Sequence, residues 1–242
     1  MTTRANLRAA LLGVALVAAT GGRARAHDDL APAIEQMGEP AASARGPGLW
    51  CVSIGGRASL FRSAGYDAFS TNDAFGQFSA TATRTVLTGP RFSTAAGVLW
   101  EDGTATSTAR GSESSLSVMR LGLVLEERFA PRPWVYVLIR VAPAWLRGKA
   151  SIDDLSIAAP LETSFSSYGV DTSVGVAGRL NPRRGKVGVW LIGDGGYGWA
   201  QAQPMALAPA LPSTDRDKAG VTTLADLAPR GIFLRFALAL SY

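Results

Sequence analysis

The sequence predicts an all-β protein in which eight antiparallel strands run up and down around a closed barrel. Long segments alternate between apolar and small or polar side chains, which is the period of two that strands produce. The breaks between these segments are alternately long and short. This rhythm is typical of an up-and-down barrel with tight turns at one end and longer loops at the other.

The first three strands follow the start of the barrel at residue 49. Strand one, Leu49–Arg62, alternates between an apolar and a polar face. Strand two, Ala74–Leu87, is rich in Thr and Ala, and its pattern leaves its facing open. Strand three, Arg91–Asp102, begins after the short break 88–90. The apolar faces of strands one and three comprise Trp50, Val52, Ile54, Ala58, Leu60, Phe92, Thr94, Ala96, Val98 and Trp100.

Strands four and five, Ser114–Phe129 and Trp134–Arg147, are separated by the tight break 130–133. Proline has no backbone N–H to give to a sheet, so Pro143 predicts a bulge or a strand end within strand five. The apolar faces of these strands comprise Met119, Leu121, Leu123, Leu125, Val135, Val137, Ile139 and Val141.

Strand six, Thr163–Leu180, has the clearest alternation, and strand seven, Lys186–Ala200, follows the third tight break at 181–185. Strand eight, Gly231–Tyr242, ends the chain on an aromatic residue. The polar or mixed segments between strands are predicted to be loops. These are 63–73, 103–113, 148–162 and 201–229.

The apolar face is predicted to point outward, towards lipid. The opposite face is mostly Gly, Ser and Ala with few charges, which suits the narrow inside of an eight-stranded barrel. Each segment exceeds the 9–11 residues that a tilted strand needs to cross a bilayer. Aromatic residues near the strand ends are predicted to form interfacial girdles. They are Trp50, Phe92, Trp100, Tyr168, Tyr197, Trp199 and Tyr242.

Charged residues on the inward face are predicted to fill the lumen with ion pairs, because buried charges need partners. These residues are Arg57, Arg120, Glu126, Arg140, Asp171, Arg179, Asp194 and Arg235. Five of the eight are arginines, so a narrow lumen that attracts anions is the alternative. A barrel of eight strands leaves little room for a channel, which favours the filled lumen.

The amino terminus predicts export from the cytoplasm. Residues 1–26 have the basic start, short apolar run and Ala24-Arg25-Ala26 cleavage site of a signal peptide, and 27–48 are expected to form a periplasmic leader. Four of the 24 Lys and Arg residues and none of the 19 acids lie in residues 1–26, so the mature chain has 20 and 19, a net charge of +1. This balance argues against nucleic-acid binding.

Single cysteine and histidine residues limit the chemistry. Cys51 is the only cysteine, which excludes an intramolecular disulfide or a cysteine-cluster metal site. His27 is the only histidine and lies outside every predicted strand, so the barrel has no histidine general base. We therefore expect no enzymatic activity, no metal site and no cofactor.

The last strand resembles the carboxyl-terminal signal of bacterial outer-membrane β-barrel proteins, which the barrel-insertion machinery recognises. Arg235 stands at the polar position of that signal, and Leu240 and Tyr242 at its last two positions. Ala237 departs from the pattern, which usually has glycine there. The resemblance implies that residues 49–242 form a barrel in the outer membrane of a Gram-negative bacterium. Outer-membrane lipid and the insertion machinery are the partners that it implies.

These observations predict a structural, tethering or surface-recognition role in the cell envelope, performed by the outer loops. Two alternatives stay open. One is a porin-like channel or carrier for a small solute or lipid, and the other is a soluble secreted β-barrel that binds a hydrophobic ligand. The loops contain no motif that identifies a partner.

Overall fold

A computed structural model describes residues 47–70, 72–109, 111–154, 159–181, 187–210 and 221–242. The predicted signal peptide, all but the last two residues of the predicted leader, and most of the tight break at 181–185 lie outside these residues. No helix in the described ranges is long and apolar enough to cross a bilayer.

The described residues form ten strands. In chain order they are β1 Trp50–Leu60, β2 Ala74–Thr88, β3 Phe92–Ala109, β4 Ser112–Arg132, β5 Val135–Asp154, β6 Leu161–Arg179, β7 Gly188–Ala200, β8 Gln203–Pro209, β9 Thr222–Leu227 and β10 Gly231–Ser241.

Eight of these strands form a closed antiparallel ring. Each of β1 to β6 pairs with the next strand in the chain, β7 pairs with β10, and β10 pairs with β1. At this closing seam Val52 lies opposite Leu240, and the backbones of Trp50 and Tyr242 exchange two hydrogen bonds of 2.9 Å. The ring therefore has no free edge along the seam. The predicted eight-stranded up-and-down barrel is confirmed.

Alternate residues of each strand in the ring face the lumen and the outside. On β1, Arg57 is 4% exposed while Ile54 is 57% exposed, and the same alternation continues along β10. Leu123 and Leu238, in the middle of their strands, are 65% and 53% exposed. Large apolar side chains thus cover the outside of the barrel.

The prediction of a loop at 201–229 is wrong, because this segment contains β8 and β9. The two strands pair with each other, and β8 also meets β6 where Leu161 lies opposite Pro209. Met205, Leu207 and Leu227 are fully buried. Packing of these three side chains against the barrel stabilises a hairpin in a segment whose composition is typical of a loop.

The predicted loops at 103–113 and 148–162 are also wrong over most of their lengths. The β3–β4 ladder continues to the pair of Ala109 with Ser112, and the β5–β6 ladder continues to the pair of Ile152 with Leu161. Ser and Thr are compatible with strands, and the ladder supplies their backbone hydrogen bonds. The turn after β3 includes Gly111, whose φ of 86° is a left-handed conformation that favours glycine.

Pro143 neither ends nor bulges β5, contrary to the sequence-based prediction. It remains paired with Val170 of β6. On the other side, the β4–β5 ladder pairs Gly122 with Ala144 and Leu125 with Val141, which is the same register on both sides of the proline. The proline therefore interrupts the β4–β5 ladder for two pairs without shifting its register, and β5 continues past it.

Candidate functional site in the barrel lumen

Three layers of side chains fill the lumen along the barrel axis. The aromatic base lies at the tight-turn end and comprises Cys51, Ala130, Tyr136, Leu138, Ala177, Trp190, Ile192 and Ala239. The apolar plug lies at the long-loop end and comprises Phe61, Tyr66, Phe69, Phe75, Leu116, Val118, Leu146, Ala150, Phe165, Ala200, Met205, Leu207 and Leu227. The ionic layer lies between them and comprises Arg57, Glu101, Arg120, Glu126, Arg128, Arg140, Asp171, Asp194 and Arg235.

Glu101 is the most connected carboxylate of the ionic layer. Its Oε2 lies 2.7 Å from Arg57 Nη1 and 3.4 Å from Arg120 Nη1, and its Oε1 lies 2.9 Å from Arg235 Nη2. The hydroxyl of Ser79 donates a further hydrogen bond of 3.3 Å to Oε1. The side chain is fully buried, so this carboxylate depends on these donors for its stabilisation.

Asp171 shares all three of these arginines, with Arg235 Nη2 the most distant at 4.0 Å from its Oδ2. Its Oδ2 lies 2.5 Å from Arg57 Nη1 and 2.9 Å from Arg120 Nη1. A Cβ added at Gly198, on the neighbouring strand, would lie 2.7 Å from Asp171 Oδ1. The absence of a side chain at position 198 therefore gives this carboxylate its space.

Glu126 and Asp194 connect the rest of the ionic layer. Glu126 Oε1 lies 2.6 Å from Arg140 Nη2, and its Oε2 lies 2.7 Å from Arg128 Nη2. Asp194 lies between Arg140 and Arg235, 3.3 Å from a guanidinium nitrogen of each. All nine residues thus form one continuous network of charge-assisted hydrogen bonds.

Five arginines and four carboxylates give the ionic layer a net charge of +1. The ring of Phe233 stabilises two of these cations through cation–π contacts. The guanidinium carbons of Arg57 and Arg235 lie 4.0 and 5.2 Å from its centroid. The one ring strand without a charge in the layer, β2, contributes hydroxyls, including Thr83, which accepts a 2.8 Å bond from Arg128. Every strand of the ring therefore contacts the network.

The structure brings seven of the eight predicted lumen charges into the ionic layer. Arg179 is the exception: it is half-buried at the tight-turn end, and its Nε donates to Asn181 Oδ1 at 3.1 Å. Glu101 and Arg128 belong to the layer but were not predicted. The alternation along each strand does indicate that both face inward, since Glu101 follows outward-facing Trp100 and Arg128 lies two residues after inward-facing Glu126.

The aromatic base closes the lumen at the tight-turn end. The rings of Tyr136 and Trp190 meet edge to face with centroids 5.1 Å apart. Trp190 Nε1 donates to the hydroxyl of Ser241 at 2.9 Å. The guanidinium carbon of Arg128, in the ionic layer, lies 5.8 Å from the centroid of Tyr136, so the two layers are in contact.

The apolar plug closes the long-loop end, where the segment after β1 folds inward. Phe61, Tyr66 and Phe75 pack with ring centroids 5.3 to 6.1 Å apart. The Tyr66 hydroxyl donates to the Ala74 carbonyl at 2.8 Å. Burial raises the pKa of the Tyr66 phenol above its ordinary value, so this hydroxyl remains a donor at neutral pH. The expectation that small and charged groups fill the lumen is therefore wrong at both ends, and Leu99 and Val124 are large apolar side chains buried beside the ionic layer.

The remaining predicted site residues lie on the outer face. Leu240 and Tyr242 of the predicted insertion signal are exposed there, whereas Arg235 is part of the ionic layer. The predicted girdle residues all have exposed side chains. They are Trp50, Phe92, Trp100, Tyr168, Tyr197, Trp199 and Tyr242. Recognition by the insertion machinery remains a prediction.

No family model matches the chain, and no curated protein matches its sequence. Among solved structures, Ail, the attachment invasion locus protein of Yersinia pestis, has 11% identity and a TM-score of 0.42, covering 81% of this chain and 98% of that one. A major outer membrane protein from Thermus thermophilus has 14% identity and a TM-score of 0.43, covering 80% and 98%. The chain resembles outer-membrane β-barrel proteins. Similarity at this level transfers no function between them.

A second structure of Ail contains the heparin analogue sucrose octasulfate and matches with 11% identity and a TM-score of 0.41, covering 79% of this chain and 96% of that one.

Within the described residues, no group of three or more His, Cys, Asp or Glu side chains is arranged to hold a metal ion. The carboxylates of the ionic layer are instead engaged by arginines.

We predict that Glu101→Gln destabilises the barrel by about 3–5 kcal/mol, because it removes the charge that Arg57, Arg120 and Arg235 share in a buried site. Unfolding in guanidinium chloride, followed by tryptophan fluorescence, measures this change. The matched control is Glu162→Gln. Glu162 pairs with Lys149 at 3.0 Å on the surface, with side chains 36% and 61% exposed, so its loss costs at most about 1 kcal/mol. Equal effects of the two substitutions would contradict the role of Glu101.

We also predict that the purified protein shows no stable ion conductance in a planar bilayer. The aromatic base, ionic layer and apolar plug occupy successive levels of the lumen, and an eight-stranded ring is just wide enough for side chains to fill. Conductance is recorded from single insertions, with a large open porin as the positive control. Sustained, reproducible current steps would instead support the channel alternative.

Proposed function

We propose that this protein is a filled, non-enzymatic β-barrel of the bacterial outer membrane, which holds the strands and loops at its long-loop end on the cell surface for tethering or recognition. The observation that carries this proposal is the inverted distribution of polarity. The charged network is buried in the lumen, and large apolar side chains cover the outside. A barrel in water would instead need a polar outer face, because a large contiguous apolar surface promotes association.

Two rings of aromatic side chains on the outer face support a membrane position. We define the lower girdle, at the tight-turn end, as Trp50, Phe92, Phe129, Trp134 and Tyr242. The upper girdle, towards the long-loop end, is Phe78, Trp100, Trp145, Tyr168, Tyr197 and Trp199. Each girdle combines residues from several strands, as the interfacial aromatic residues of membrane barrels do.

The spacing of the two girdles agrees with the thickness of a bilayer. The lower and upper girdles are eight residues apart on β3, from Phe92 to Trp100, and eleven apart from Trp134 to Trp145 at β5. At about 3.3 Å per residue and a strand tilt of about 40°, these separations correspond to roughly 20–28 Å along the barrel axis. The apolar band of outer-membrane barrels is about 25 Å tall.

Charges are scarce between the girdles. In the described strands, Glu127 is the one charged side chain on the outer face in this band. It lies next to the lower girdle and accepts a 2.8 Å hydrogen bond from the Thr94 hydroxyl. Arg84 lies at the level of the lower girdle, with its guanidinium carbon 5.6 Å from the centroid of the Trp50 ring. The band therefore meets the main requirement of a lipid-facing surface.

The sheet continues beyond the upper girdle, which supports a role outside the membrane. β3 extends from Trp100 to Ala109, β5 extends from Trp145 to Asp154, and the β8–β9 hairpin joins them through β6. This part of the sheet is rich in Ser and Thr. It presents an ordered polar surface, whereas the charged groups of the ionic layer are occupied by ion pairs. A surface role is thus better supported than transport or catalysis.

The Leu125→Arg substitution tests the membrane position. Leu125 lies between the girdles and is 42% exposed, so a charge there is expected to cost about 2–4 kcal/mol in a bilayer. Thr106→Arg, on the exposed extension of β3, is the control and is expected to change stability by about 0.5 kcal/mol or less. Unfolding free energies are measured in lipid vesicles. Equal, small effects would favour a soluble barrel instead.

Cysteine labelling of intact cells tests which end faces outward. A large polyethylene-glycol maleimide is expected to label Thr106→Cys in intact cells. It should label Gly89→Cys, in the tight turn between β2 and β3, only after the outer membrane is opened, because such turns face the periplasm. The native Cys51 is buried and provides the unlabelled background. The reverse pattern would overturn the proposed orientation.

A further inference from the structure

A pocket of about 260 Å³ lies on the outer surface at the long-loop end of the closing seam. Its lining residues come from β1, β7 and β10 and from the segments that adjoin them. They are Leu60, Arg62, Tyr197, Arg230, Gly231 and Ile232. The position is distinct from the lumen, and none of these residues belongs to the ionic layer.

The apolar part of the pocket is continuous with the proposed lipid-facing band. Leu60, Tyr197 and Ile232 point outward and are 41%, 49% and 56% exposed. Ile232 lies directly opposite Tyr197, a residue of the upper girdle. A Cβ at Gly231 would overlap the Leu60 carbonyl oxygen, so glycine allows the close approach of β10 to the end of β1. The apolar lining therefore reaches the level where lipid chains end and headgroups begin.

Two arginines form the polar part of the pocket. Arg62 lies two residues after the end of β1, and Arg230 immediately precedes β10. Both side chains are exposed, and neither forms an ion pair within the described residues. Asp226 is close to Arg230 in sequence, but no ion pair joins its carboxylate to either arginine. The five arginines of the ionic layer, in contrast, all have carboxylate partners.

Hydrogen bonds between the Ser63 side chain and the backbone before β10 hold the two arginine-bearing segments together. The Ser63 hydroxyl donates to the Asp226 carbonyl at 3.0 Å and accepts a hydrogen bond from the Ala228 N–H at 3.2 Å. The Arg230 N–H donates to the Ala228 carbonyl at 2.7 Å. The backbone positions of Arg62 and Arg230 relative to each other are thus set before any ligand arrives, which lowers the entropic cost of binding.

We propose that this pocket binds the phosphorylated headgroup of a membrane lipid, with the phosphate held by Arg62 and Arg230 and a hydrocarbon chain along Leu60, Tyr197 and Ile232. This inference rests on the proposed membrane position. Guanidinium groups match phosphate oxygens with paired hydrogen bonds. Basic side chains beside a membrane surface attract anionic headgroups. The apolar lining favours a lipid over a free anion, which has no chain to place there.

Native mass spectrometry of the mature protein in detergent micelles tests this proposal with phosphatidic acid and phosphatidylcholine. The wild type is expected to bind phosphatidic acid about 10-fold or more tightly than phosphatidylcholine, given two charge-assisted contacts. The double variant Arg62→Ala/Arg230→Ala should lose most of this preference. Arg147→Ala is the matched control, because Arg147 is an exposed arginine on the outer face of β5 beyond the upper girdle, and it should retain the preference.

The outcomes separate the pocket from the alternatives. If Arg147→Ala lowers the preference as much as the double variant, the attraction is diffuse and the pocket proposal is wrong. Displacement of phosphatidic acid by an equal concentration of inorganic phosphate would show a simple anion site and overturn the lipid assignment. If the double variant binds like the wild type while Leu125→Arg still destabilises the barrel in vesicles, the pocket proposal fails and the membrane position stands. The unfolding midpoint of the double variant checks that it is folded.

Discussion

The pairing of buried charges is the constraint on which the rest of this barrel depends. Four carboxylates and five arginines are removed from water, and each needs a partner at hydrogen-bonding distance. Apart from Arg128 and Glu126, which are both on β4, the partners come from different strands, so the network is complete only when the ring is closed in one register. A slip of one residue on a single strand would turn its charge towards the outer face. The ionic layer thus specifies the register of the barrel as well as filling its centre.

Strand positions and facing could be predicted because a period of two is a local signal. The inward positions of Asp194 and Arg235 follow from their neighbours on the same strand. Depth along the barrel is different, because it depends on register between strands. Arg179 was assigned the same facing as these residues but lies too near the tight turns to reach the network. The pairing of Glu101 with Arg57, 44 residues earlier, likewise requires the closed ring and no local pattern indicates it.

Beyond the band proposed to face lipid, the local signal weakens, which explains the wrong loop predictions. On the outer face of this extension, Ser and Thr replace the large apolar residues that mark the part of the strands proposed to span the membrane. Met205 and Leu207 of β8 do alternate with small residues, but the run is too short to separate a strand from a loop. Their burial in the apolar plug, together with Phe69, stabilises the hairpin. That packing is tertiary and has no counterpart in the composition of the segment.

Arginine has two different environments in this protein, and the difference is the basis of the lipid site that we propose. Inside the lumen every guanidinium of the ionic layer faces a carboxylate, and packed apolar side chains lie above and below the layer. Between the girdles the described outer face is almost free of charge. Arg62 and Arg230 lie just beyond that band, exposed and without an acidic partner in the part of the chain that the structure describes. Because the charges of the ionic layer are already paired with one another, the recognition that we propose is expected on the outer surface. The boundary of the apolar band is the position at which unpaired arginines and hydrocarbon can contact the same molecule.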